Sequence, residues 1–250
     1  MRLSLNAAAL FALVLQIAAC SQGSTPPLPP PNPSAALAHT SKPFTFHTSG
    51  DLASGGGSGL ADNTIYLPGI RFPIENAPAF ANSQVYSKGG KFGGGGTQCD
   101  PANYSYPWRD TFCESRVWTV QLCPTGIGHQ GQDIRPATCA GGTHWAVAAE
   151  AGQITAITAY SVTLVSSSSP QKIYRYLHMK MNALAVTLDQ HVARGKRLGL
   201  VNNDFPGGTT FHLHFDAQTS VTVNGAPVIM YVPPYASLVA AYKRLLSGKQ

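Results

Sequence analysis

Four histidines and one aspartate of this 250-residue chain fall in three short stretches, and their spacing suits a catalytic metal site. His129 and Asp133 are four residues apart in a stretch whose glycines, Gly128 and Gly131, disfavour a helix. In an extended strand, residues i and i+4 point to the same face. The side chains of His129 and Asp133 can therefore bind one ion.

A second pair of histidines lies nearer the C-terminus. His212 and His214 flank Leu213, and the two-residue period of a strand puts both imidazoles on one face. The run of residues 209–215 is rich in threonine and aromatic residues, which strands favour. Two antiparallel strands would bring this pair to His129 and Asp133. The remaining candidate, His178, follows a third β-type run.

Imidazole nitrogens and carboxylate oxygens are ligands that zinc accepts, and three protein ligands leave a fourth tetrahedral position open. Bound zinc lowers the pKa of a water molecule to about 7 and polarises a carbonyl oxygen. A histidine within hydrogen-bond reach can then act as the base in hydrolysis of an amide. Three ligands and two spare histidines therefore predict a hydrolytic site with one zinc ion.

The order of these motifs resembles that of the lysostaphin and LytM-type zinc endopeptidases, which cut peptide bonds in bacterial peptidoglycan. The resemblance covers residues 127–215 approximately, and it rests on the segments His129–Asp133, Val147–Gly152, Tyr174–His178, Val192–Gly199 and His212–Asp216. Many relatives have Thr-Gly-Pro before His-Leu-His, whereas this chain has Thr209-Thr210-Phe211. That difference concerns the fit of the substrate and not the metal.

The resemblance implies a role for each of the five residues. His129, Asp133 and His214 are expected to bind zinc, and His178 and His212 are expected to form the catalytic pair. In this mechanism His212 accepts a proton from the attacking water, while zinc and a hydrogen bond from His178 stabilise the oxyanion. An ordinary pKa near ~6.5 for His212 predicts an activity that rises through roughly pH 6 to 7.

The other histidines are expected to be solvated or structural residues. They are His39, His47, His144 and His191.

Two other functions stay open beside the endopeptidase. A non-catalytic relative of the same fold would bind the cell wall or activate an amidase, although such relatives usually lack one or more of the five residues. A secreted enzyme that attacks competitors is the other possibility. The formal net charge of +6 suits attraction to anionic peptidoglycan, and it equally suits solubility alone. No aromatic-basic stripe or nucleic-acid motif occurs, so nucleic acid is not an expected partner.

The N-terminus predicts export. Arg2 precedes an apolar stretch that is too short for a transmembrane helix, so residues 1–19 are typical of a secretory signal peptide. Ile17-Ala18-Ala19-Cys20 resembles the lipobox of bacterial lipoproteins, which makes Cys20 the expected lipidation site; an ordinary signal peptide is the alternative. Ser21 would imply sorting to the outer membrane in diderm bacteria. The expected location is the periplasm, with a lipid anchor in that membrane, and secretion is the alternative.

The remaining cysteines are Cys99, Cys113, Cys123 and Cys139. An even number in an exported chain predicts two disulfides, with three possible connectivities. The expected pairs are Cys99–Cys113 and Cys123–Cys139. The second pair is favoured because each of its cysteines lies six residues outside the segment from His129 to Asp133 and would pin its ends. A cysteine-based zinc site is not expected, since no Cys-x-x-Cys pair occurs.

Composition divides the rest of the chain into three parts. Residues 20–40 are a proline-rich linker that is expected to act as an extended spacer. Residues 41–110 carry glycine tracts and are expected to wrap the catalytic domain or to regulate its groove. Residues 111–250 are expected to form the peptidase domain, and the chain is expected to be a monomer.

Short β-type runs between turn signals predict a mainly β fold with an antiparallel sheet, and no βαβ alternation is visible. The runs are 146–149, 153–165, 173–178, 197–201, 210–217 and 220–223. The family resemblance implies the LytM-type arrangement of that sheet, which is similar to a duplicated hybrid motif. One amphipathic helix over residues 235–246 is expected to close the domain, with its apolar face formed by Leu238, Val239, Tyr242, Leu245 and Leu246.

Overall fold

The computed structural model of the protein describes residues 43–82 and 95–250. The predicted signal peptide, the expected lipidation site Cys20, the predicted linker of residues 20–40 and His39 lie outside these ranges. Among the described residues, no helix is both long enough and apolar enough to cross a membrane.

The described residues form nine β-strands and one α-helix, and the fold is mainly antiparallel β with a C-terminal helix, as predicted. The strands are β1 (Gly131–Ile134), β2 (Trp145–Val147), β3 (Gly152–Ile157), β4 (Ser161–Ser166), β5 (Ile173–Leu177), β6 (His191–Val192), β7 (Arg197–Leu200), β8 (Leu213–Val223) and β9 (Ala226–Tyr231). The helix is α1 (Tyr235–Leu246), and two short 3-10 helices of the described chain span Pro101–Tyr104 and Met181–Ala183.

Seven of these strands form one antiparallel sheet in the order β1-β8-β5-β4-β3-β6, with β9 paired to β8, and β2 pairs with β7 separately. The first half of the long strand β8 pairs with both β1 and β5, and its second half pairs with β9. His214 lies opposite Asp133 in β1 and opposite Leu177 in β5. The register therefore brings the two predicted pairs of site residues onto adjacent strands.

Two predicted strand boundaries differ from the structure. The run 153–165 is two strands, because a tight turn in which the Thr158 N–H donates to the Ser161 carbonyl separates β3 from β4. Residues 210–217 and 220–223 contribute to one strand, β8, and neither β6 nor β9 is among the predicted runs. The signal for β9 is Asn224-Gly225, whose positive φ angles of 51° and 82° suit a two-residue hairpin turn.

Side chains alternate between the two faces of each strand, so one face of the sheet packs in the hydrophobic core and the other carries the predicted site residues. Tyr174 and Tyr176 of β5 belong to the hydrophobic core, as do Leu213, Phe215 and Ala217 of β8. The intervening positions of β8 therefore turn their side chains to the opposite face of the sheet. Both faces of this stretch are buried, since every residue from 212 to 217 is shielded from solvent.

The described part of the segment 41–110 packs against the sheets. Ile70, Phe72 and Ile74 belong to the hydrophobic core. Isolated bridges pair Ile74 with Ala146 and Phe80 with the residue after β1. A regulatory role for this segment stays a prediction.

The C-terminal helix begins and ends where the sequence predicts, at Tyr235 and Leu246. It follows two prolines and buries Leu238, Val239 and Tyr242 in the core. Leu246 differs from the prediction, because it is 47% exposed in the last helical turn. The apolar face therefore ends one residue before the helix does.

All four cysteines are in disulfides, as predicted, but the expected pairs Cys99–Cys113 and Cys123–Cys139 are wrong. The structure joins Cys99 to Cys139 and Cys113 to Cys123. The chain folds back at residues 120–126, where the Val120 N–H donates to the Gly126 carbonyl, and this turn returns Cys123 to Cys113. Two disulfides are typical of an exported protein.

Candidate metal centre

The structure brings His129, Asp133 and His214 together as three ligand atoms within 4.8 Å of one another. His129 Nε2 lies 2.9 Å from His214 Nδ1 and 3.3 Å from Asp133 Oδ1. His214 Nδ1 lies 3.1 Å from the same carboxylate oxygen. All three residues are buried. The potential ligand atoms of these three residues therefore lie close enough together to contact a single ion.

Two glycines allow the segment that carries His129 and Asp133 to approach its neighbours closely. A Cβ atom at Gly131 would lie 2.8 Å from the Cβ of Asp216, on the neighbouring strand β8. A Cβ atom at Gly128 would lie 2.8 Å from the Cα of Cys113, which belongs to a disulfide. The glycines that disfavour a helix in the sequence are therefore also required by packing.

The outer nitrogens of the two clustered histidines, His129 and His214, are hydrogen-bonded to acceptors. His129 Nδ1–H donates to the Thr111 carbonyl at 2.8 Å, and His214 Nε2–H donates to Asp216 Oδ2 at 3.1 Å. A carbonyl and a carboxylate only accept, so each neutral ring carries its proton on the outer nitrogen. His129 Nε2 and His214 Nδ1 are left with lone pairs that face the cluster.

The donor set fits a zinc ion. Tetrahedral zinc with nitrogen and oxygen bonds of usual length places its ligand atoms about 3.3 Å apart. The three separations here are 2.9, 3.1 and 3.3 Å. Lone pairs so close repel unless a proton or a cation lies between them.

The electrostatics of the cluster favour a cation as well. Burial alone would raise the pKa of Asp133, but His129 and His212 hold it well below its usual value, so the group is a carboxylate. Burial alone would lower the pKa of His214, but hydrogen bonds to Asp133 and Asp216 raise it to about 9. A pKa of about 9 favours a proton between His214 and Asp133 at neutral pH, and a bound cation would have to displace it.

His212 lies beside the cluster, one residue before β8. Its Nδ1–H donates to the Thr210 carbonyl at 2.9 Å, and its Nε2 lies 3.5 Å from Asp133 Oδ1. Burial lowers the pKa of His212 well below its usual value. The ring is thus neutral at neutral pH, with Nε2 able to accept a proton.

His178 reaches the site through an unusual backbone conformation. Strand alternation would turn it into the core with Tyr174 and Tyr176, but its φ of 68° is in the left-handed region and redirects the chain. Its ring centroid lies 4.6 Å from that of His212. Strain of this kind persists where the surrounding structure imposes it, and it is common at functional sites.

The hydrogen bonds of His178 define its protonation. Nδ1–H donates to the Asp204 carbonyl at 3.1 Å, so the neutral ring has an unprotonated Nε2. Burial, together with the charge of His214, lowers the pKa of His178 to about 4. This ring is therefore neutral at neutral pH, like that of His212.

All five predicted residues line one open cleft of about 480 Å³. Its walls also carry cationic, aromatic and apolar side chains, among them Arg116, Trp118, Tyr160, Arg175, Leu177 and Phe205. A concave site with apolar walls and a few convergent polar groups is typical of a ligand or substrate site. All of the described residues that line this cleft come from position 116 onward.

The remaining described histidines are outside the cluster. His47 contacts Asp51, and His144 bonds to Thr138, as expected of structural residues. His191 is exposed.

Two residues near the predicted metal ligands were not predicted to have a role. Asp216 accepts the hydrogen bond of His214, and Arg175 forms an ion pair with Asp216. The period of two that links His212 to His214 extends to Asp216, and this was the available signal.

Comparisons with known proteins give similarity to solved structures alone. No family model matches the chain, and no curated protein matches it. A protein classed with the M23 peptidases from Pseudomonas aeruginosa is 23% identical, over 44% of this chain and 43% of that chain, with a TM-score of 0.33. The catalytic domain of the antimicrobial peptidase lysostaphin from Staphylococcus simulans is 17% identical, over 55% of this chain and 93% of that chain, with a TM-score of 0.37.

The similar structures include LytM-type and M23 peptidases. A third is a zinc-containing peptidase from Vibrio cholerae, 25% identical over 42% of this chain and 31% of that chain, with a TM-score of 0.28. The match spans 43% of the Pseudomonas aeruginosa chain and 31% of the Vibrio cholerae chain, so the activities and substrates of those proteins are matters for proposal here.

Proposed function

We propose that this protein is an exported zinc endopeptidase that hydrolyses the peptide crosslinks or stems of bacterial peptidoglycan. The observation that carries the proposal is the cluster of His129, Asp133 and His214 in a cleft that also contains His178 and His212. The order of the sequence motifs supports peptidoglycan as the substrate. The two disulfides support export.

Three residues would hold the zinc ion. They are His129 through Nε2, His214 through Nδ1 and Asp133 through a carboxylate oxygen, as their outer hydrogen bonds dictate. When bound, zinc would lower the pKa of a water molecule and polarise the carbonyl of the scissile bond.

His212 would act as the general base. Its Nδ1–H is bonded to the Thr210 carbonyl, so Nε2 is the nitrogen that can take a proton from the attacking water. The lowered pKa keeps this nitrogen unprotonated before the reaction begins. The Thr210 carbonyl also fixes the plane of the ring, which holds Nε2 toward the cleft.

His178 would stabilise the oxyanion, but only after it gains a second proton. In the neutral ring Nδ1–H is bonded to the Asp204 carbonyl, and Nε2 accepts hydrogen bonds instead of donating them. Negative charge that develops on the substrate oxygen raises the pKa of a neighbouring imidazole. The donor form of His178 would therefore arise during the reaction, when Nε2 takes up a proton from solvent in the open cleft, and not in the resting protein.

The walls of the cleft would position an extended peptide. Phe205 packs against His178 with ring centroids 5.3 Å apart and against Tyr160 at 5.1 Å. Trp118 is 44% exposed beside the same cleft. Aromatic surfaces of this kind bind peptide backbone and side chains and exclude water from the scissile bond.

Other features of the proposal come from the sequence. Cys20 would attach the protein to the outer membrane on its periplasmic side, and secretion without an anchor is the alternative. The protein would act as a monomer. A wall-binding protein or an amidase activator of the same fold is the alternative function.

Digestion of crosslinked muropeptides tests the proposal. The purified mature protein, incubated with muropeptide dimers at neutral pH, should release monomers that chromatography and mass spectrometry identify. A chelator should stop the release, and added zinc should restore it. Dimers that persist while the protein still sediments with cell walls would favour the wall-binding alternative.

A further inference from the structure

Asp216 is a fully buried carboxylate on the metal-bearing strand β8, and the predicted mechanism gives it no task. Its Oδ2 accepts the Nε2–H of His214 at 3.1 Å. On its other side, the carboxylate accepts the Nε–H of Arg175 at 3.0 Å, and Arg175 Nη2 lies 2.8 Å from Oδ2. Asp216 thus lies between a metal ligand and a cation.

Strand register creates this arrangement. Arg175 of β5 is the direct cross-strand partner of Asp216, and Gly131 of β1 is its partner on the other side. The absence of a side chain at Gly131 leaves room for the carboxylate. Arg175 also donates from Nη2 to Gln130 Oε1 at 2.9 Å, next to the ligand His129.

The two histidine ligands differ in the group that orients them. The outer nitrogen of His129 donates to a neutral backbone carbonyl, whereas that of His214 donates to a carboxylate. A charged acceptor makes the stronger hydrogen bond and increases the basicity of the opposite ring nitrogen. A buried carboxylate without a partner would be costly, and Arg175 supplies the compensating charge.

We propose that Asp216 and Arg175 are a positioning pair for the zinc ligand His214, with Asp216 fixing the ring and Arg175 holding the carboxylate in place. The inference rests on the proposed function for its metal ion. It assigns a task to two residues that touch neither zinc nor the reacting atoms.

Zinc affinity is the primary test, because Arg175 also lines the cleft and a loss of activity alone would be ambiguous. Competition with a chromophoric chelator should show that Asp216→Asn and Arg175→Gln each bind zinc about 10- to 100-fold more weakly than the wild type. Asn has nearly the shape of Asp, and circular dichroism with thermal unfolding would verify the fold of each variant.

Arg197 offers a matched control on the same protein. It pairs with Glu75 through Nε at 2.7 Å and Nη2 at 2.8 Å and lies over the Trp145 ring, much as Arg175 pairs with Asp216 and lies over Tyr231. Its pair is outside the cleft. Arg197→Gln should therefore leave zinc affinity unchanged.

Nuclear magnetic resonance of the zinc-loaded protein gives a readout that loss of stability would not move. The Nε2–H proton of His214 should resonate far downfield in the wild type, and it should shift upfield in Asp216→Asn because the charged acceptor is gone. The ring signals of His129 should not change, since its acceptor is the Thr111 carbonyl.

The outcomes separate this inference from the proposed function. Wild-type zinc affinity in folded Asp216→Asn and Arg175→Gln, or an equal loss in Arg197→Gln, would overturn the positioning role while hydrolysis by the wild type stands. A wild type that binds zinc but cleaves no muropeptide would overturn the hydrolytic function and leave the positioning role intact. Should Asp216→Asn not fold, Arg175→Gln decides alone.

Discussion

Two buried clusters of ring side chains in this protein are held together in different ways. In the aromatic cluster next to α1, Trp108 packs against Tyr242 with centroids 4.5 Å apart and against Phe72 at 5.7 Å. In the candidate metal centre, His129 and His214 have centroids 4.7 Å apart, and their inner nitrogens converge. The first contact is attractive by itself, and the second is not.

The polar atoms of the two clusters show the same contrast. Trp108 Nε1–H donates to the Ala79 carbonyl, and the Ala79 N–H donates to the Tyr242 hydroxyl, so the aromatic cluster satisfies itself. The inner nitrogens of the candidate metal centre converge on a position that a proton or a cation must fill, and outer hydrogen bonds keep the rings in place. Substitutions in the aromatic cluster should therefore lower the free energy of unfolding, and substitutions in the metal centre should lower zinc binding and activity.

The largest expected effect is loss of a metal ligand. Asp133→Ala should abolish zinc retention and muropeptide hydrolysis, because the remaining two ligands form an incomplete site. His212→Ala should keep its zinc and lose about 10²- to 10⁴-fold in the rate of hydrolysis, as expected for a general base. Metal analysis beside kinetic assays checks both. Full zinc occupancy in Asp133→Ala would contradict the ligand assignment.

One tryptophan of the aromatic cluster and one at the cleft wall test the contrast directly. Trp108→Ala should lower the free energy of unfolding by about 3–5 kcal/mol, because it empties a fully buried site. Trp118→Ala, at a half-exposed cleft wall, should change it by no more than about 0.5 kcal/mol and should instead raise KM. Chemical denaturation and steady-state kinetics measure the two effects. Equal losses of stability in Trp108→Ala and Trp118→Ala would contradict the proposed difference between the two regions.

The two disulfides should also differ in whether their loss affects zinc binding as well as stability. Replacing Cys113 and Cys123 by Ser should cost about 2–3 kcal/mol of stability and weaken zinc binding, because the backbone of Cys113 bonds to that of His129. Replacing Cys99 and Cys139 removes a link across 40 residues and should cost about 4 kcal/mol on loop entropy, with little change in zinc affinity. Denaturation and chelator competition on folded protein would check the pair. Equal zinc affinities in the two variants would contradict the anchoring of His129.

The pH dependence of zinc affinity is the weakest test of the difference between the two clusters. The metal-free pKa of about 9 at His214 means that zinc must displace a proton below that pH, so zinc affinity should fall by up to about tenfold for each unit of decreasing pH. Calorimetry in buffers of different ionisation enthalpy would detect the released proton.

Loss of zinc at low pH also changes the expected fall of activity on the acid side of the pH profile. The sequence alone predicts that protonation of His212 limits activity at about pH 6 to 7. Burial lowers the pKa of His212 well below its usual value, so protonation of this base should not limit activity in that range. Activity should instead fall when zinc is released, and excess zinc should move the limb to lower pH. A limb near pH 6.5 that ignores zinc concentration would support an ordinary pKa for the base.

Local sequence patterns were sufficient to predict several features of this protein. The period of two in a strand was sufficient to predict that His129 lies with Asp133 and His212 with His214, and the structure brings all four side chains to one cleft. The limits of α1 also followed from its sequence, because two prolines precede an amphipathic run. Both features depend on neighbours a few residues away, which a sequence displays.

The tertiary structure decided what depends on distant contacts. Strand alternation alone would bury His178 with Tyr174 and Tyr176, and the positive φ that brings it into the cleft is imposed by the surrounding chain. The disulfide partners depend on a turn at residues 120–126 that four cysteine positions do not reveal. The pairing of Asp216 with Arg175 arises from the register between β8 and β5, which lie about forty residues apart in sequence and meet only in the folded sheet.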